Sequence, residues 1–243
     1  MTFSEVREYV PGDDVRSIDW NVTARTGKPH LKIFEEEREL SVLILIDVSS
    51  SGVFGSKNNL KIDLGVEIAA MLSFSAIKNN DKVGLALFSD KIEKYIPPKK
   101  GKKHVLRLIT DIVNHDFENS NKRTSIKTAI DFANKISKRK SVIFLISDFI
   151  DDNFWNELKF LNFRHDVIGL QIFDSYERNF PNLGIINIHD SETGENTWID
   201  TTSKKNRNKF QKNSIEKLNN FSRKCKNIGF DLIQISTDDD YIK

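Results

Sequence analysis

The chain has 243 residues, 38% hydrophobic and 30% charged, with 37 basic side chains against 35 acidic ones. That length suits one domain, or one domain with an appendage, and a core of that size needs neither metal nor disulfide to hold it. The near-neutral balance gives no global reason to expect nucleic acid or a membrane surface as partner, and the apolar content with 17 Phe excludes a disordered chain.

Residues 1–40 differ from the rest. Pro11-Gly-Asp-Asp14 and Thr26-Gly-Lys-Pro29 are turn signals, and Val6–Val10 and Leu31–Phe34 read as short strands. No helical period is visible there, so an extended, β-rich arm is expected, with Trp20 anchoring it against the domain that follows. From Ser41 the pattern becomes regular. Ser41–Asp47 is a continuous apolar run rich in β-branched residues, the mark of a strand covered on both faces. Ile62–Ile77 reads as a helix, Lys82–Phe88 as a buried strand and Lys91–Ile96 as a short edge strand. Val105, Leu108, Ile109 and Ile112 recur at three- and four-residue spacing, as do Ile126, Ala129, Ile130 and Ala133, giving two amphipathic helices.

Ser141–Asp148 is another buried strand, followed by a helix over Phe154–Phe163 and a strand over Asp166–Phe173. Ile185–His189 and Thr197–Asp200 flank Asp190-Ser-Glu-Thr-Gly194 and read as a hairpin. A last helix carries Phe210, Leu218, Phe221 and Cys225 on one face, Gly229 ends it, and Phe230–Ser236 is the final strand. Strands alternating with helices predict an α/β fold: a doubly wound, mostly parallel sheet with helices on both faces. The expected organisation is an arm over 1–40 and a domain over 41–243 with a hairpin insertion near 185–200.

In such a sheet, ligands bind beyond the carboxyl ends of the strands, where the winding direction switches. Asp47 and Asp148 stand at two such ends. Asp47-Val-Ser49-Ser-Ser51 adds two hydroxyls on the loop leaving the first strand, and Thr124 offers a third from a separate loop. Hard oxygen ligands of this kind suit magnesium. Two aspartates with three hydroxyls make a site of low negative charge, better suited to gripping a partner's carboxylate than to activating water, because no general base stands out nearby.

Asp47-x-Ser49-x-Ser51, Thr124 and Asp148 resemble the metal-ion-dependent adhesion site of von Willebrand factor A domains. Arg7–Trp20, Asn21–Pro29, Phe34–Leu40, Asp190–Glu195 and Ser236–Tyr241 resemble the signature of a bacterial family of uncharacterised proteins, domain of unknown function 58, over nearly the whole chain. The resemblance implies an A-type sheet, and partnership with MoxR-type AAA+ ATPases as partner or adaptor. It also implies a site in which Ser49, Ser51 and Thr124 hold Mg2+, or another divalent cation such as Mn2+ or Ca2+, while Asp47 and Asp148 act through water or by orienting the hydroxyls. Family members carry Gly-Ser after Asp-x-Ser and Gly-Gly-Thr-Asp around the threonine; here the stretches are Ser50-Ser51 and Lys122-Arg-Thr-Ser125, a more basic threonine loop.

The lone Cys225 cannot form an internal bridge, and its place on the apolar stripe makes it a buried, inert thiol in a reducing compartment. The apolar runs Val42–Ile46 and Val142–Ile146 are too short to cross a bilayer, and Met1–Arg7 lacks the apolar core of a signal peptide. A cytoplasmic location is expected. Nine basic residues lie between Lys204 and Lys226 with Glu216 the only acid, and read as a solvated helix face. No Walker motif, nucleophile elbow or dinucleotide loop is present. The expected function is therefore non-enzymatic: a divalent-metal-dependent protein-interaction module with a protein partner. The alternative is a magnesium-dependent phosphohydrolase or nuclease, which needs three or more carboxylates around its ions; Asp151 and Asp152 follow Asp148 closely.

Overall fold

The structure is a computed structural model that describes residues 2–35, 39–53, 55, 60–117, 123–179, 181–189 and 196–239. The turn expected at 190–194, residues 36–38, Lys122 and Tyr241 lie outside the described residues. The chain divides into two compact units, Met1–Glu39 and Leu40–Lys243.

In the first unit, strand β1 (Thr2–Glu8) pairs antiparallel with β2 (His30–Glu35). The intervening segment is not extended throughout, contrary to the expectation from periodicity: Trp20–Thr26 forms helix α1. Its signals are local. The Asp19 carboxylate accepts from Asn21 N at 2.9 Å and Val22 N at 3.3 Å, filling two orphan donors of the first turn, and Gly27 at φ 74° ends the helix in the left-handed region. Seven residues are too few for the apolar spacing to show. Trp20 itself is 70% exposed.

The second unit begins with β3 (Ser41–Asp47), followed by α2 (Lys61–Lys78), β4 (Lys82–Phe88), β5 (Ile92–Lys99) and α3 (Lys102–Val113). Next come α4 (Ile126–Ile136), β6 (Val142–Ser147), α5 (Trp155–Arg164), β7 (Asp166–Phe173) and the short α6 (Ser175–Arg178). Hairpin strands β8 (Ile185–His189) and β9 (Asn196–Asp200) precede α7 (Lys204–Asn227) and β10 (Asp231–Ser236). The main sheet runs β10-β7-β6-β3-β4-β5, parallel except for the edge strand β5, which returns antiparallel from β4. Pro97 and Pro98 in β5 are tolerated because an edge strand does not need every N–H.

The fold class is the expected one, a doubly wound, mostly parallel sheet with helices on both faces. Its core explains why β3 has no polar alternation. Val42, Ile44 and Ile46 pack on one side with Leu64 and Ile68 of α2 and Val105 and Leu108 of α3. Leu43 and Leu45 pack on the other with Ile126 and Ile130 of α4 and Leu158 and Leu161 of α5. Both faces are buried, and each such side chain contributes about 1.5–3 kcal/mol of transfer free energy. From β3 the chain winds to β4 on one side and later to β6 on the other, so the carboxyl ends of β3 and β6 flank the point where winding reverses. Among the described residues no helix is long and apolar enough to cross a membrane.

Candidate functional site

Asp47 is the last residue of β3, and its carboxylate joins two strand ends. One oxygen accepts from Ser49 N at 3.0 Å, turning the chain; the other accepts from Ser147 Oγ of β6 at 2.7 Å. Asp47, Ser49 and Ser147 are all buried. Burial pushes the Asp47 carboxyl up to about 6, the neighbouring Asp148 charge pushes the same way, and hydrogen bonds from Ser147 and Ser49 oppose them.

The hydroxyls predicted from sequence come together. Ser49 Oγ lies 3.0 Å from Ser51 Oγ, and Thr124 Oγ1 donates to Ser49 Oγ at 2.7 Å across 75 positions of sequence. The threonine loop is fixed from two sides. Ser125 N donates to the Ser89 carbonyl beyond β4 at 3.0 Å, and Ile126 N donates to Asp151 Oδ2 at 2.9 Å. Ser125 also caps α4 through its own hydroxyl. Two separate loops thus converge at Ser49.

Asp148 is brought to the same crevice but is held differently. Oδ1 accepts from Ile150 N at 3.2 Å, and Oδ2 accepts from Lys61 Nζ at 2.9 Å. The Lys61 ammonium, 3% exposed, also donates to Glu177 Oε1 of α6 at 2.7 Å. Burial alone would lower the Lys61 pKa, but the Asp148 and Glu177 charges and hydrogen bonds outweigh it and hold the group charged. Directly after Asp148, Phe149 sits at φ 60°, an uncommon backbone state for an aromatic residue. Two local contacts accompany it: Phe149 N donates to Ser147 Oγ at 3.0 Å, and the ring packs among Phe154, Phe221 and Phe230.

Asp47, Ser51, Gly52, Lys61, Ser147 and Asp148 line one narrow crevice at the strand ends. Sequence reasoning missed Lys61, Ser147 and Glu177. Lys61 leaves one signal: a cation at the first position of a helix opposes the helix dipole, so it calls for a local reason. Glu177 was hidden in α6, whose Asp174–Glu177 capping box forms over only four residues.

The donor set suits a hard divalent cation: three convergent hydroxyl oxygens with an aspartate behind them. Among the described residues no three His, Cys, Asp or Glu side chains gather in a metal-holding group. Elsewhere, Cys225 is buried and its thiol is pushed up to about 11 by desolvation.

A family model described as "Protein of unknown function DUF58" matches residues 5–219. The chain is 28% identical over 241 residues to "Uncharacterized protein Rv1480" of Mycobacterium tuberculosis, covering 98% of this chain and 75% of that one. Among solved structures it is similar to an aerotolerance-related membrane protein from Bacteroides fragilis, with 15% identity, a TM-score of 0.55 and coverage of 82% of this chain and 92% of that one. The conserved hypothetical protein BatB from Bacteroides thetaiotaomicron is similar at 14% identity and a TM-score of 0.53, over 81% of this chain and 90% of that one. At these identities the likeness is one of fold.

Proposed function

The chain belongs to the family described as "Protein of unknown function DUF58", and we propose that it is a protein-interaction module whose strand-end crevice grips a partner's acidic residue with the help of a divalent cation. The observation that carries this reading is the convergence of Ser49, Ser51 and Thr124 from two loops onto the end of β3, above a buried aspartate. Ser49, Ser51 and Thr124 would hold the cation. Asp47 would fix the Ser49 turn and set the negative field beneath it. When bound, Mg2+ supplies an electrophilic position to which a carboxylate oxygen from outside can bind. The chain's own residues supply few charges to saturate such an ion, and this leaves it attractive to an external carboxylate. The partner, following the resemblance, is a MoxR-type AAA+ ATPase or its client.

The test is binding of the MoxR-type ATPase from the same genome to the purified chain, in Mg2+ and in EDTA, for wild type and for Ser49→Ala and Thr124→Ala. The reading expects binding in Mg2+ that EDTA and either substitution abolish. Binding indifferent to both would refute it. Magnesium-dependent hydrolysis of a phosphate ester, lost on Asp47→Asn, would replace it by the enzymatic alternative.

A further inference from the structure

The crevice already contains a cation of its own. Lys61 enters from the first turn of α2 with its ammonium 2.9 Å from Asp148 Oδ2 and 2.7 Å from Glu177 Oε1, and it lines the same crevice as Asp47 and Ser51. It is 3% exposed, and the Asp148 side chain is 5% exposed. Burying an ammonium is costly unless it is paired, so this one is held for a reason that packing alone does not give: an apolar side chain would suit the buried first turn of α2 better.

We propose that Lys61 is the resident counter-ion of the crevice: by neutralising Asp148 it keeps the two strand-end carboxylates compatible without metal, and it sets how weakly a divalent cation binds beside Ser49, Ser51 and Thr124. The inference rests on the cation-site reading but makes its own claim. Asp47 ends β3, Asp148 directly follows its parallel neighbour β6, and the two carboxylates repel one another. Two solutions to that repulsion exist, an ammonium from within or a divalent ion from solvent. With Lys61 present, an arriving cation meets a positive charge already bound to one of the two carboxylates. Its affinity is therefore held down, and exchange is fast enough for metal and partner to assemble and separate together. Glu177, the ammonium's second partner, keeps Lys61 from moving onto Asp47.

The experiment is calorimetric titration of Mg2+ and Mn2+ into metal-free wild type, Lys61→Met and Glu177→Gln, with the melting temperature of each taken in EDTA and in Mg2+. Lys61→Met is expected to lower the melting temperature in EDTA. It is also expected to tighten Mg2+ binding by at least about tenfold, the order for deleting one unit charge a few ångströms from the ion. A merely structural lysine would lower stability and leave the affinity unchanged or weaker, and that result overturns the proposal. If wild type binds no divalent ion and Lys61→Met does, the proposal stands and the cation-gripping function falls. If neither binds, the proposal falls with it. Glu177→Gln removes one of the charges that hold the Lys61 ammonium and is expected to weaken Mg2+ binding; tighter binding would count against the scheme. Should Lys61→Met not fold in EDTA, Lys61→Gln is read by the same criterion, and failure of both to fold even in Mg2+ overturns the proposal.

Discussion

Gly169, in the middle of β7, is the position where the sheet leaves least room. A Cβ built there would lie 2.5 Å from Phe230 Cζ, 2.7 Å from Phe230 Cε1 and 3.0 Å from Leu232 Cδ1. Ordinary contact starts at 3.4 Å, so the ring would have to retreat by 3.4 − 2.5 = 0.9 Å. Phe230 is 4% exposed, and its centroid lies 6.2 Å from that of Phe149, itself packed against Phe221 at 5.4 Å, so a shift of the ring disturbs these contacts. Gly169→Ala therefore overpacks an aromatic cluster, at a cost of about 1–3 kcal/mol. In a domain of this size each kcal/mol is worth about 2–4 °C, so scanning calorimetry should show a fall of about 2–12 °C. Phe230→Leu removes the ring, and the alanine penalty should shrink in that background by about 0.5 kcal/mol or more, within the usual range for residues in contact. A Gly169→Ala variant melting with wild type, or a penalty of the same size in both backgrounds, would refute the reasoning.

Asp151→Ala frees the first amide of α4 and should cost about 1 kcal/mol in urea denaturation, and it should loosen the Thr124 loop that Ile126 N helps to fix. Ser49→Ala removes the hydroxyl that both Ser51 and Thr124 contact; it should abolish any Mg2+-induced rise in melting temperature and change stability in EDTA by only about 1 kcal/mol. Asp19→Ala should lose the two amide bonds that start α1, read as faster amide hydrogen exchange at Asn21 and Val22. His165 is buried, neither ring nitrogen has a hydrogen-bond partner among the described residues, and burial with the Arg164 charge holds its pKa below the usual value. The unfolded chain then takes up the proton first as pH falls. Stability should drop as pH passes below about 6.5, the unfolded value, and level off below the folded one, and His165→Leu should flatten that limb of the pH–stability curve.

The sheet was legible because burial on both faces writes itself as uninterrupted apolar runs, and β3, β4, β6 and β7 lie within a residue or so of where those runs placed them. The hydroxyls and aspartates of the crevice were legible for a related reason: strand ends are where such a fold exposes its loops. What the sequence hid was short or non-local. Helix α1 is set by the Asp19 and Gly27 caps rather than by periodicity, and α6 is a single turn. Ser147 and Lys61 act on residues 100 and 87 positions away, and nothing in a linear pattern marks a pairing of that span.

That hidden pairing changes which residue carries the site's demand for positive charge. From sequence, Asp47 and Asp148 are equivalent: each ends a buried strand beside the switch point. In the fold they are not. Asp148 has an ammonium at 2.9 Å and a backbone amide on its other oxygen, so its charge is met from within. Asp47 accepts from Ser49 N and Ser147 Oγ, both neutral donors, and its carboxyl is pushed upward first by burial and then by the neighbouring Asp148 charge. A group of that kind, under three hydroxyls that retain lone pairs, is where an ion from solvent gains most. On the cation-gripping function proposed above, the ion would sit over β3 and the threonine loop, and Asp148, which the sequence makes the equal of Asp47, would serve mainly to keep Lys61 in place.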